Sequence, residues 1–144
     1  MAPPLTVVDT TVIIDILRGF QPAMEWVDSI ERRLVASEVT RIEVLRGLRS
    51  HERGAAERVF TALRWIAVDE SIARRAGELG RRWRRSHRSL GLADLVIGST
   101  AIEFGAELAT SNVRHYPMFP NLRPPYAEAT GTADTKQGSQ RRPG

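Results

Sequence analysis

Cysteine is absent from the 144-residue sequence, and lysine occurs only once, as Lys136. The lack of cysteine excludes disulfides, thiolate zinc sites and cysteine nucleophiles. No apolar run approaches the ~20 residues that a membrane-spanning helix needs. The first residues also lack the basic and hydrophobic regions of a signal peptide. We therefore expect a cytoplasmic protein that does not insert into a membrane.

The composition is otherwise that of a globular protein, with 42% hydrophobic and 26% charged residues. A chain of this length can bury a core of its own in a single domain. From residue 127 onward, however, the sequence contains no large apolar side chain. We predict a folded domain over residues 1–126 and a disordered tail over residues 127–144.

Arginine supplies nearly all of the positive charge, and the formal net charge is +4. The segment from residue 74 to residue 88 is especially basic, because its only acidic residue is Glu78. Its arginines are Arg74, Arg75, Arg81, Arg82, Arg84, Arg85 and Arg88. Such a stripe is typical of a surface that binds the phosphates of a nucleic acid. A solvated helix face or a docking site for an acidic protein would show the same pattern.

Short apolar runs alternate with segments of helical periodicity along the chain. We predict strands at residues 5–8, 34–36, 65–68 and 107–110, and an edge strand near Leu122. Helices are predicted between them, and three begin after side chains that cap helix N-termini: Thr10 or Thr11, Ser37, and Asp69. Strand and helix in alternation indicate an α/β domain with a mainly parallel sheet.

Four polar side chains interrupt or end apolar runs, where an uncompensated charge is costly. They are Asp9, Glu43, Asp94 and Asn112. Carboxylate and carbonyl oxygens are the ligands that magnesium prefers in proteins. A cluster of such groups therefore indicates a metal-dependent site for phosphate chemistry.

The predicted fold brings these residues towards one edge of the sheet, because sites of parallel α/β proteins form beyond the carboxyl ends of the strands. Asp9 follows the first strand, and Asn112 follows the strand that starts near Glu107. Asp94 lies in the first turn of a helix, and Glu43 lies on the inner edge of another. Each residue alone has a simpler explanation as a helix cap, an ion-pair partner or a turn former.

Four motifs carry a resemblance to a known family. They are the segments 8–15 (VDTTVIID), 40–47 (TRIEVLRG), 92–101 (LADLVIGSTA) and 108–116 (LATSNVRHY). In this order and spacing the chain resembles the PIN domain, and specifically the VapC-type toxins of bacterial toxin–antitoxin pairs. The resemblance covers about residues 5–125. It implies a three-layer α/β/α fold and an endoribonuclease that depends on Mg²⁺, for which Mn²⁺ can substitute.

The resemblance also implies partners and residue roles. Asp9, Glu43 and Asp94 match the acidic metal-site positions, and Asn112 matches a fourth position that is often aspartate. We expect Asp9 and Asp94 to be the metal ligands and Glu43 to orient or deprotonate the water. Candidates for substrate binding are Thr10, Thr11, Thr110 and Arg114. The expected partners are an RNA substrate, a VapB-type antitoxin and a second copy of the chain.

Other interpretations remain open from the sequence. A non-catalytic RNA-binding or partner-binding module on the same fold would retain the arginine stripe without a metal. A structure-specific DNA nuclease would use the same ion chemistry. His115 is a weaker candidate for a general base. The apolar residues of the early helices either dock the antitoxin or belong to the core, and the core is the favoured interpretation: Ile13, Ile14, Leu17 and Trp26.

Overall fold

Four short parallel strands form the centre of the protein. The computed structural model describes residues 4–86 and 90–127. The sheet has the order β3-β2-β1-β4, and all three pairings are parallel. The strands are β1 (Leu5–Val8), β2 (Arg33–Ser37), β3 (Arg64–Ile66) and β4 (Glu107–Ala109). The α/β class with a parallel sheet, predicted from the alternating pattern, is thus confirmed.

Among the described residues, six α-helices connect and cover the strands: α1 (Thr10–Leu17), α2 (Gln21–Ser29), α3 (Glu38–Gly47), α4 (Arg53–Ala62), α5 (Glu70–Trp83) and α6 (Leu92–Glu103). Ser37 and Asp69 cap α3 and α5 as predicted, each accepting a hydrogen bond from a backbone N–H of the first turn. The predicted cap of α1 was wrong. Asp9 is the N-cap, and the helix begins at Thr10 because the Asp9 carboxylate already accepts the Thr10 N–H.

The helices lie on both faces of the sheet and bury two clusters of apolar side chains. Val7 of β1 belongs to the cluster beneath α5 and α6, whereas the next residue, Val8, belongs to the cluster beneath α1 and α4. Successive strand residues point to opposite faces, so a continuous apolar strand supplies both clusters. This arrangement is the expected three-layer α/β/α architecture.

The apolar residues of the early helices belong to the core. Ile13 is completely buried, and Ile14, Leu17 and Trp26 pack against the cluster that contains it. The interpretation as core is therefore confirmed.

The edge strand expected near Leu122 was wrong. Leu122 lies outside any strand and packs its side chain against the first core cluster. Within the described residues, β4 pairs only with β1 and is therefore an edge of the sheet. Arg88 of the arginine stripe and residues 128–144 of the expected tail lie outside the described residues. In the described ranges, no helix has the length and apolar character needed to cross a membrane.

Candidate active site

Asp9 is fixed by three elements at the carboxyl end of β1. Its backbone N–H donates to the carbonyl oxygen of Ala109 at the end of β4, with a distance of 2.9 Å. Its Oδ1 accepts the backbone N–H of Thr10 at 2.7 Å, and its Oδ2 accepts the hydroxyl of Thr110 at 2.6 Å. Only 3% of Asp9 is exposed. The carboxylate therefore has one defined position between the sheet and α1.

Burial raises the pKa of Asp9 above its usual value. The hydrogen bonds from Thr110 and Thr10 lower this pKa, whereas the neighbouring charge of Asp94 raises it further. A hydrogen bond from the Tyr116 hydroxyl also lowers it. The charged form of Asp9 is thus disfavoured in the metal-free protein, and a bound cation would remove that cost.

Asp94 lies in the first turn of α6 and contacts two side chains of the segment after β4. Its Oδ2 lies 3.1 Å from Nδ1 of His115, and its Oδ1 lies 3.5 Å from the hydroxyl oxygen of Tyr116. The backbone N–H of Gly91 approaches the same Oδ2 at 3.4 Å. The Asp94 side chain is 19% exposed, so it remains accessible to solvent.

Tyr116 is the central contact of the cluster, and sequence reasoning did not identify it. It is fully buried. Burial raises the pKa of its phenol, and so do the charges of Asp9, Asp94 and Glu43. The phenol therefore stays protonated and serves as a donor to the acids. Its only signal in the sequence is its place at the end of the last motif, where a buried aromatic ring is expected in any case.

Glu43 reaches the cluster through Thr10. The Thr10 hydroxyl donates to Oε1 of Glu43 at 2.6 Å, and the Thr10 backbone N–H donates to Asp9. Glu43 is partly buried on α3. The Tyr116 phenol thus lies near both Asp94 and Asp9. Glu43 is connected to Asp9 through Thr10.

The remaining candidate residues differ in how far their side chains are exposed to solvent. Thr110 is fully buried and accepts the backbone N–H of Asn112 at 3.0 Å. Thr11 accepts the backbone N–H of Ser111 at 3.3 Å. The side chains of Asn112 and Arg114 are exposed, and neither contacts the acids in the described part of the chain. The two threonines therefore hold the segment after β4 close to Asp9, whereas Asn112 and Arg114 are exposed to solvent.

In the described residues, no group of three or more histidine, aspartate or glutamate side chains is arranged to hold a metal ion. Magnesium, however, is usually bound by one or two carboxylates together with water and substrate phosphates. Asp9 and Asp94 meet this requirement, because both approach the hydroxyl of Tyr116. The pKa of Asp9 is raised, and a bound cation would lower it by favouring the charged carboxylate. The residues present fit a magnesium-type ion bound by this pair.

Comparison with known proteins gives the family. The profile of the PIN domain matches residues 6–118. Ribonuclease VapC19 of Mycobacterium tuberculosis is 46% identical over 127 residues, which cover 85% of this chain and 100% of that protein. Ribonuclease VapC10 of the same organism is 42% identical over 125 residues, covering 85% of this chain and 94% of the relative.

A solved structure described as a toxin–antitoxin complex from Klebsiella pneumoniae has a similar fold. Its TM-score is 0.72 at 24% identity, and the match covers 84% of this chain and 98% of that chain. The family resemblance seen in the four sequence motifs is confirmed by these matches. The chain belongs to the PIN-domain family and, within it, to the VapC proteins.

Proposed function

We propose that this protein is a Mg²⁺-dependent endoribonuclease, the toxin of a VapBC-type pair, in which Mn²⁺ can replace Mg²⁺. The observation that carries the proposal is the proximity of Asp9, at the carboxyl end of β1, to Asp94, in the first turn of α6: the charge of Asp94 raises the pKa of Asp9, and the Tyr116 hydroxyl lies 3.5 Å from Oδ1 of Asp94. Two relatives that are 42–46% identical are called ribonucleases, which supports RNA as the substrate.

Asp9 and Asp94 would bind the ion, and Glu43 would act on the attacking water. A bound Mg²⁺ polarises a phosphoryl oxygen and lowers the pKa of coordinated water. Glu43 accepts the Thr10 hydroxyl at Oε1; its other carboxylate oxygen has no hydrogen bond within residues 4–86 and 90–127, and it could orient the water or take its proton. Asp9 is only 3% exposed, so bulk solvent has little access to its carboxylate.

The four remaining candidates divide into two roles. We propose that Thr110 and Thr11 position Asp9 rather than touch RNA, because both of their hydroxyls face its carboxylate. The exposed side chains of Asn112 and Arg114 lie on the same segment. We propose that they contact the phosphates flanking the scissile bond.

We further propose a VapB-type antitoxin and a second copy of this chain as protein partners. Three apolar side chains on the helices that carry Glu43 and Asp94 are open to solvent: Ile42 is 64% exposed, Leu45 is 47% exposed and Leu92 is 77% exposed. A partner that covers these side chains would bury apolar area close to Glu43 and Asp94. Cross-linking and light scattering, with and without the protein encoded next to this chain, test both partners.

Cleavage of total cellular RNA with sequencing of the new ends tests the enzymatic proposal. We expect cutting with Mg²⁺ or Mn²⁺ and none with EDTA or in Asp94→Asn. The matched control is Asp15→Asn, because Asp15 also accepts a tyrosine hydroxyl, that of Tyr126 at 2.6 Å, outside the site. This control should cut normally.

Other outcomes identify the alternatives. Retention of RNA without cleavage under any metal condition would indicate a non-catalytic RNA-binding module. Metal-dependent cleavage of branched or flapped DNA, with RNA left intact, would indicate a structure-specific DNA nuclease. Cleavage that persists in EDTA would contradict metal dependence.

A further inference from the structure

The C-terminal end of α5 carries an uncompensated positive surface. It consists of Arg81, Arg82, Arg84 and Arg85, which we call the α5 arginine surface. All four side chains are exposed. Within residues 4–86 and 90–127, none of the four forms an ion pair with an acid.

The opposite end of the same helix is different. Arg74 pairs with Glu70 at 2.8 Å, and Arg75 pairs with Glu103 of α6. The Glu103 carboxylate also accepts the hydroxyl of Ser71. Charge is therefore balanced at the N-terminal end of α5 and unbalanced at its C-terminal end, although both ends are rich in arginine.

Helix packing places the unbalanced end beside the acids. The contact of Arg75 with Glu103 joins the start of α5 to the end of α6, so the two helices are antiparallel. Near the other end, a Cβ atom on Gly80 would lie only 3.1 Å from Cδ1 of Leu95. Leu95 directly follows Asp94, and Arg81 directly follows Gly80. The α5 arginine surface therefore begins next to the helical turn that supplies Asp94.

We propose that the α5 arginine surface binds the phosphate backbone of the RNA beside the scissile bond, a proposal that rests on the proposed ribonuclease function. An RNA that approaches Asp9, Glu43 and Asp94 is repelled by three carboxylates. Exposed guanidinium groups on the adjacent turn offset that repulsion and pair with phosphates through two parallel hydrogen bonds.

An acidic segment of a partner protein is the competing occupant. RNA is favoured because the α5 arginine surface lies next to the turn that supplies Asp94, where the proposed cleavage would occur, and does not extend along the whole of α5. Helix geometry also spreads Arg81, Arg82, Arg84 and Arg85 around more than one face, which suits a backbone that curves around a helix end. Arg82 additionally lies over the ring of Trp83, 5.4 Å from its centroid.

Two double variants with equal loss of charge test the proposal. Arg81→Gln with Arg82→Gln removes two groups of the α5 arginine surface, and Arg74→Gln with Arg75→Gln removes two groups at the paired end. Binding of a fluorescent single-stranded RNA is measured by anisotropy in EDTA at several salt concentrations, so that no cleavage is required. Circular dichroism and melting temperature establish that both variants are folded.

We expect the first double variant to lower the log–log salt slope of RNA affinity by about 1.4, since each lost phosphate contact on a single strand accounts for about 0.7. The control variant should retain the wild-type slope. With Mg²⁺ present, the first variant should raise KM for cleavage and leave kcat nearly unchanged, because the lost contacts are made equally in the ground and transition states.

Equal RNA affinity and equal salt slope in the two double variants would overturn the proposal. So would unchanged RNA binding by the first variant together with lost binding of a polyglutamate peptide, which would indicate a protein dock. If RNA binding depends on Arg81 and Arg82 but no cleavage occurs under any metal condition, the proposed nuclease function fails while the α5 arginine surface remains an RNA-binding surface.

Discussion

Nδ1 of His115 lies 3.1 Å from Oδ2 of Asp94, so the imidazole forms a hydrogen bond with a proposed metal ligand. A carboxylate oxygen accepts, and Nδ1–H is therefore the donor when Asp94 is charged. The two residues are 21 positions apart in the chain. The contact exists because the segment after β4 passes over the first turn of α6.

His115 should position Asp94 rather than act as the general base. We expect His115→Asn to retain most activity, because its amide N–H can replace Nδ1–H. His115→Gln, whose amide resembles Nε2 instead, should lose about 10–100-fold in Mn²⁺ affinity and in kcat/KM, as for other partners of metal ligands. Titration calorimetry with Mn²⁺ checks the affinity. Equal behaviour of the two variants would contradict a positioning role.

Tyr116→Phe should weaken metal binding, because the phenol donates to the acids that we propose as metal ligands. Tyr126→Phe is the matched control, since it also removes a tyrosine–carboxylate hydrogen bond, the one to Asp15. Each variant should lose about 1–3 kcal/mol of stability. Only Tyr116→Phe should reduce the rise in melting temperature on adding Mn²⁺. An equal metal response in the two variants would show that the Tyr116 hydroxyl has only a structural role.

Thr10→Val should lower kcat about ten-fold, because the Thr10 hydroxyl donates to Glu43, which we propose acts on the attacking water. Thr10→Ser retains the hydroxyl and should stay close to wild type. Single-turnover cleavage of one RNA oligonucleotide separates kcat from binding. A rise in KM with unchanged kcat for Thr10→Val would indicate instead that this threonine contacts the substrate, as predicted from the sequence.

The stability of the metal-free protein should depend on the protonation of Asp9. Burial raises the pKa of Asp9 in the folded state above its ordinary value, so the folded state binds the proton more tightly than the unfolded state. The resulting stabilisation is complete below the unfolded pKa and is lost as the pH rises through the folded pKa. Wild type should therefore gain stability relative to Asp9→Asn as the pH falls from 7 towards 4.

Urea unfolding of both proteins in EDTA at several pH values measures this difference. A free-energy difference between wild type and Asp9→Asn that does not change with pH would contradict the raised pKa. Addition of Mn²⁺ at pH 7 provides a second comparison, because a cation should stabilise wild type and leave Asp9→Asn nearly unaffected.

Much of the fold was predictable because its sequence signals are local. The apolar run Leu5–Val8 marks a strand buried on both faces, and Ser37 and Asp69 mark the starts of their helices. Asp9 could likewise be placed at the carboxyl end of a strand. These features depend on residues close together in the chain, so periodicity and capping chemistry suffice to find them.

The contacts that organise the site were not predictable in the same way. Tyr116 meets Asp94 across 22 positions, and Thr110 meets Asp9 across 101. Such pairs depend on how strands and helices pack, which no local pattern specifies. The edge strand expected near Leu122 failed for a related reason, since that apolar residue packs into the core without joining the sheet.

The hydrogen bond from the Asp9 N–H to the carbonyl oxygen of Ala109 couples the proposed active site to an edge strand of the sheet. Within the described residues, β4 is only three residues long and is paired along one side. If β4 separates from β1, Asp9 loses the hydrogen bond from its N–H to Ala109 and the hydrogen bond from the Thr110 hydroxyl together. A local opening that costs much less free energy than global unfolding would then inactivate the enzyme reversibly.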